Sequence, residues 1–207
     1  MSARRPLASR DAGWARRAAG WLTARGVAPD RISQASVGCA ALALGLLWLA
    51  RDGGWGAALA FVLAGVAVQG RLICNLLDGM VAVEGGRGGP RGAFWNEAPD
   101  RAADALILWG AGLACGAPAL GLGCAVAALG TAYLRALGAA LGHGEDFGGP
   151  LAKPQRMAAV TALCALSAVE AVLWGTRAAM EVGLWAVLAG TLLTCGLRAR
   201  RLLRRMG

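Results

Sequence analysis

The chain has 207 residues, 57% of them hydrophobic, with 32 glycines and a formal net charge of +9. A composition this apolar excludes a soluble domain with one polar surface and points to an all-α, polytopic membrane protein. Membrane orientation and attraction to anionic headgroups account for the positive charge, so nucleic-acid binding is not needed to explain it.

The N-terminal stretch "MSARRPLASRDAGWARRAAGWLTARGVAPD" lacks the continuous apolar core of a signal peptide, because Arg16, Arg17 and Arg25 interrupt it. Trp14, Ala18, Trp21 and Leu22 recur at helical spacing opposite arginines, which predicts an amphipathic helix lying in the headgroup region. Apolar runs follow at about 34–50, 55–77, 102–115, 119–141, 157–174 and 178–197. Several approach the roughly 20 residues needed to cross a bilayer core. The third run is short, so its helix is expected to start earlier, inside "NEAPDRAAD". This reading divides the chain into a cytoplasmic juxtamembrane segment at 1–33, a six-helix membrane domain at 34–197 and a basic cytoplasmic tail at 198–207.

Charge fixes the orientation, since Lys and Arg in short loops stay on the cytoplasmic side. With six spans, seventeen basic residues fall on one side and only Arg51 and Arg177 on the other, while Arg71 and Arg135 lie within spans. Both termini are therefore expected on the cytoplasmic face of the cytoplasmic (inner) membrane.

Most catalytic chemistries have little to draw on. Cys39, Cys74, Cys115, Cys124, Cys164 and Cys195 are isolated in or beside apolar runs and read as small hydrophobes. His143 is the sole histidine, which leaves almost nothing for a histidine-rich zinc site or a Ser-His-Asp triad. No P-loop motif is present.

The acids are distributed differently. Asp78, Glu84, Glu97, Asp100 and Asp104 crowd the stretch between the second and third runs. Asn75, Asp78 and Ala82 share one face at the end of the second helix, and Asn96, Asp100 and Asp104 share one face at the start of the third. The linker "EGGRGGPRG" is rich enough in glycine to turn back sharply and bring those faces together. Converging carboxylate and amide oxygens suit a hard cation such as Mg²⁺ or Mn²⁺. Alternatively, the acids simply balance Arg87, Arg91 and Arg101 at the membrane surface. The cost of a carboxylate beside hydrocarbon, about 2.5–3.5 kcal/mol at mid-membrane, weighs against that.

These residues resemble the signature of the CDP-alcohol phosphotransferases (CDP-alcohol phosphatidyltransferases), D-x-x-D-G-x-x-A-R, eight or nine residues, then G-x-x-x-D-x-x-x-D. "NLLDGMVAV", eight residues and "GAFWNEAPD" fit that frame without a gap, with Asp78, Gly79, Ala82, Gly92 and Asp100 matching in kind. The following Arg101 and Asp104 are similar to the inositol-phosphate branch, and "GVAPDRIS" is similar to the family's entry segment before its first span. Asn75, Asn96 and Val83 depart from the pattern, standing where the family has Asp, Asp and Arg. A second register takes Asn96 as the glycine position and Asp100 and Asp104 as the last two acids, at the expense of a twelve-residue gap.

The resemblance implies a six-helix membrane phosphotransferase, expected as a homodimer. It would move a substituted phosphoryl group from CDP-diacylglycerol or another CDP-alcohol to an alcohol acceptor and release CMP. Asp78, Asn75, Asn96 and Asp100 would hold Mg²⁺ or Mn²⁺, more weakly than four acids would. Gly79, Ala82, Gly92 and Asn75 would adjoin the CDP group. Asp100 would take the proton of the attacking hydroxyl, with Asp104 beside it. Arg135, Lys153 and Arg156 are candidates for binding the acceptor, phosphorylated or not. The alternatives are a non-catalytic CDP-lipid-binding relative or scaffold, which the two amides would suit, and a small cation-coupled transporter, which would place polar residues at mid-span.

Overall fold

A computed structural model describes residues 12–84 and 90–207, and these residues form an all-helical protein. The helices are α1 (Gly13–Ala24), α2 (Pro29–Leu49), α3 (Gly54–Glu84), α4 (Pro90–Ala114), α5 (Pro118–Ala140), α6 (Lys153–Leu173) and α7 (Ala178–Met206), with a 3-10 turn at Ala50–Asp52 after α2. Proline stands in the first turn of α2, α5 and α6, where its missing N–H costs nothing and its fixed φ favours the helix. Of the glycine linker expected to turn the chain between α3 and α4, Glu84 ends α3, Pro90 begins α4, and 85–89 lie outside the described residues.

Five helical stretches are long and apolar enough to cross a membrane: Pro29–Asp52, Gly54–Val83, Pro118–Ala140, Lys153–Leu173 and Ala178–Met206. Large apolar side chains such as Leu59, Val66, Val126, Val169, Val182 and Leu192 stay exposed along them, as on a protein that has lipid for a solvent. The chain is thus an integral membrane protein. The helix over the third apolar run begins earlier than that run, at Pro90, but its first half carries too many charges for α4 to join the other five.

Six helices pack as a closed ring in the order α2, α3, α6, α7, α5, α4 and back to α2. Its core is rich in alanine: Ala40, Ala43, Ala64, Ala103, Ala111 and Ala128 are all buried, and such small side chains let helix backbones approach closely. The tightest approach joins α4 to α5. A Cβ on Gly112 would lie 2.7 Å from the Ala117 carbonyl oxygen and 2.8 Å from Gly121 Cα, so only glycine fits there. The same hairpin turns on Gly116, at φ +75°, with the Ala117 N–H closing back onto the Gly112 carbonyl at 2.8 Å.

Helix α1 packs against α3. Ala15 and Ala19 are buried on Leu77, Met80 and Val81, while Trp14 and Trp21 stay exposed on an adjacent face and the Arg25 guanidinium lies 4.0 Å from the Trp21 ring. The contact with protein therefore uses the small residues of the helix rather than its tryptophans. At the opposite end of α6 from Lys153, buried Glu170 accepts hydrogen bonds from the Ala178 and Ala179 N–H groups and from Thr176, and so caps α7. All six cysteines are free, with Cys124 and Cys164 buried and the rest half-buried.

Candidate active site

The site begins with an arginine inside an apolar helix. Arg71 on α3 is completely buried, and Asn75 and Asp78 follow it at i+4 and i+7, on the same face. An ionised group placed so deep requires partners, and α4 supplies them. Arg71 Nη2 donates to Asp100 Oδ1 at 3.1 Å and to Asp104 Oδ1 at 2.7 Å. Asp100 and Asp104 stand four apart, so both point from α4 toward this one guanidinium. Pro99, inside α4, has no N–H to offer the Trp95 carbonyl, which interrupts the helical bonding just ahead of Asp100.

Helix α6 closes the cluster. Arg156, also buried, donates through Nη2 to Asp104 Oδ2 at 2.7 Å, and Lys153 donates to Asp100 Oδ2. Asn75 joins both sides when its amide is oriented by its hydrogen bonds: the nitrogen donates to Asp100 Oδ1 at 2.7 Å and the oxygen accepts from Lys153 Nζ at 2.8 Å. The loop before α6 is pinned in turn. Buried Arg198 of α7 donates to the Gly148 carbonyl at 2.9 Å and the Thr131 carbonyl at 2.6 Å, Arg201 pairs with Asp146 at 2.9 Å, and the Leu151 N–H reaches Thr194 Oγ1 at 3.1 Å. These bonds fix where Lys153 enters the site.

Asp78 borders the cluster, within Coulombic reach of Asp100 and Lys153. Its Oδ2 accepts from Ser33 of α2 at 2.8 Å, while its Oδ1 is buried and has no partner. A Cβ on the neighbouring Gly79 would meet nothing within 4 Å, so α3 has open space at that residue. Among the described residues, no three acids, histidines or cysteines converge to hold a metal by themselves. A Mg²⁺-type cation does not require three, because it binds through one or two carboxylates together with substrate phosphates and water. The unpartnered Asp78 Oδ1 fits such an ion. Asp100 fits it less well, since Arg71, Lys153 and Asn75 already occupy its oxygens.

No protein-family model matches the chain, and no curated protein matches it in sequence. Solved structures do match. The crystal structure of Mycobacterium tuberculosis phosphatidylinositol phosphate synthase (PgsA1) with CDP-DAG bound superposes with a TM-score of 0.76 at 23% identity, over 92% of this chain and 94% of that one. The same enzyme in complex with manganese and citrate gives 0.75 at 22% identity, over 91% and 88%, and its apo form gives 0.71 at 22%, over 89% and 93%. The chain has the fold of this synthase.

Of the residues singled out in the sequence, the structure brings together Asn75, Asp78, Asp100, Asp104, Lys153 and Arg156. Arg135 stands apart, paired with Glu97 and, at 2.9 Å, with Glu145. Ala82 and Gly92 are half-buried, and Val83 points outward. The Asn96 side chain lies outside the described residues. Sequence reading passed over Arg71 and Ser33. An arginine inside an apolar span, spaced at i+4 and i+7 from Asn75 and Asp78, was the available signal for the first. For Ser33 there was none, because its partner is 45 residues away.

Proposed function

We propose that this protein is a membrane CDP-alcohol phosphatidyltransferase, moving a phosphatidyl group from a CDP-linked lipid such as CDP-diacylglycerol to an alcohol and releasing CMP, in phospholipid biosynthesis. One observation carries the reading: in the fold of a synthase crystallised with CDP-DAG, α3 and α4 bring Asp78 and Asp100 to one polar cluster, and both residues fit the signature frame. Mg²⁺ or Mn²⁺ is the proposed cofactor, as in the manganese complex of that synthase. Asp78 would hold it, with Asn75, Asn96 and Asp100 nearby, and the ion would neutralise the diphosphate and the departing CMP.

The chain's own groups divide the remaining work. Open space at Gly79, with Ala82 and Gly92 in the same frame, lets the CDP group lie against the helices. The acceptor hydroxyl attacks the phosphorus bonded to diacylglycerol, the bond from that phosphorus to CMP breaks, and Asp100 takes the hydroxyl proton at Oδ2, on the lone pair that Lys153 does not use. Asp104 is buried between Arg71 and Arg156 and positions Asp100 through the shared Arg71. Lys153 and Arg156 would face the acceptor from within the cluster, and Arg135, apart from them, would meet it only at a distance. Each already has a carboxylate partner, so a phosphorylated acceptor would have to compete for them.

In this reading α4 is the sixth span, both termini face the cytoplasm, and α1 lies in the headgroup layer with Trp14 and Trp21 toward lipid. The membrane is the inner one and the working unit a homodimer. Purified protein given labelled CDP-diacylglycerol, Mg²⁺ or Mn²⁺ and a panel of alcohols should release CMP, and Asp78→Asn should abolish the release. Silence of the native chain with every acceptor would replace transfer by CDP-lipid binding alone.

A further inference from the structure

Lys153 is the only lysine in the chain, whose other twenty basic residues are all arginines. It lies where α6 meets the carboxylates, its ammonium bonded to Asp100 Oδ2 and to the Asn75 amide oxygen at 2.8 Å. An ammonium is a compact point charge, nearer to a metal ion in shape than a planar guanidinium is. The surrounding charges agree. Asp78, Asp100 and Asp104 face Arg71, Lys153 and Arg156, so the cluster is neutral with the lysine in place. Asp100 is saturated by three donors, and of the three acids only Asp78 keeps an unpartnered oxygen.

We propose that Lys153 is a resident cation: its ammonium fills the position between Asn75 and Asp100 and supplies there the positive charge that a divalent ion would otherwise bring, leaving room for one ion, at Asp78. The amide at position 75 belongs to the same arrangement. An aspartate there would give the cluster a net negative charge, whereas asparagine presents its oxygen to the ammonium and its N–H to Asp100. This deepens the transferase reading and rests on it for the ion at Asp78, but it concerns how many ions the residues can take.

The test is a count of Mn²⁺ bound per chain by the purified full-length protein, from electron paramagnetic resonance of free Mn²⁺, with CDP-diacylglycerol binding measured separately. The native chain and Asn75→Asp should bind the same number. Lys153→Met/Asn75→Asp should bind one more, and Lys153→Arg/Asn75→Asp should return to the native number. An unchanged count in the methionine double variant, with its melting transition intact, overturns the proposal, as does an extra ion in Asn75→Asp alone. The native chain gives a second readout that needs no variant. The Lys153 side chain is 23% exposed and is the only side-chain amine, so its acylation can be followed by peptide mass. Saturating Mn²⁺ should leave the acylation rate unchanged, and a several-fold rise would mean that the metal displaces the ammonium. Failure to bind CDP-diacylglycerol would remove the transferase reading while leaving the ion count to decide this one.

Discussion

Arg71 and Asp104 meet at 2.7 Å in the interior, the side chain of the first completely buried and that of the second 3% exposed. Nothing in either helix alone would tolerate such a group. α3 can bury its guanidinium only because α4 presents two carboxylates to it, and α4 can bury those carboxylates only because α3 and α6 supply the positive charge.

Breaking that relationship should be costly. Arg71→Met leaves Asp100 and Asp104 under-compensated in a buried setting, a loss expected to be about 3–5 kcal/mol. Thermal unfolding in detergent should show a markedly lower midpoint. Arg71→Lys should fall between, because one ammonium cannot fork across two carboxylates as the guanidinium does. A native midpoint for Arg71→Met would mean that the cluster does not hold α3 to α4.

Asp100 and Asp104 should separate by the kind of damage their amides cause. Asp100→Asn removes the proton acceptor while keeping the shape, so CMP release should drop by about 10²- to 10⁴-fold with donor binding retained. Asp104→Asn loses an anion held by two arginines, so its larger effect should be on the melting temperature. If Asp104→Asn instead abolishes turnover in a stable protein, the register that makes Asp104 the last signature acid is the right one.

Gly112→Ala tests the α4–α5 contact. The added Cβ meets backbone atoms rather than a flexible side-chain end, so the hairpin must open, at a cost of about 1–3 kcal/mol. Gly38→Ala in α2, where a Cβ would meet nothing within 4 Å, is the matched control and should be neutral or stabilising by about 0.5–1 kcal/mol. Equal melting temperatures for the two would argue against the close approach.

Glu170→Gln probes an acid outside the site. The amide can still accept bonds but brings no negative charge to the α7 N-terminus, so stability should fall by about 0.3–2 kcal/mol. CMP release should be unaffected. A loss of turnover in a stable Glu170→Gln protein would contradict a purely structural role.

How far the sequence could be read depended on the range of each interaction. Apolar runs and helical spacing are local, so the all-helical membrane class and the shared faces of Asn75 with Asp78 and of Asp100 with Asp104 were visible without coordinates. The partners of those acids were not. Arg71 lies 29 and 33 residues before its two carboxylates, and Arg156 lies 52 after Asp104, distances over which periodicity carries no information. α4 was hard to delimit for a physical reason: the charges that build the site are the ones that spoil its hydropathy. In α1 the tryptophans dominate the apolar pattern, so the contact that Ala15 and Ala19 make with α3 left no separate signal in the sequence.

The ring order α2, α3, α6, α7, α5, α4 also governs how the chain is made. Synthesis delivers α3 and α4 together, with Asp78, Asp100 and Asp104 set against Arg71 alone, and the two balancing cations on α6 emerge only after α5 has followed. Until then the nascent hairpin carries two uncompensated negative charges into a medium that penalises each of them. α2, α3 and α5 are apolar enough to hold a chain stopped after α5 in the membrane, but its helices should pack loosely, so limited proteolysis in detergent should cut it readily, whereas a chain stopped after α6 should resist. Lys153 and Arg156 would thus be the late-arriving lock on helix packing, so a nonsense or frameshift lesion between α5 and α6 should leave a loosely packed product for quality-control proteases to clear.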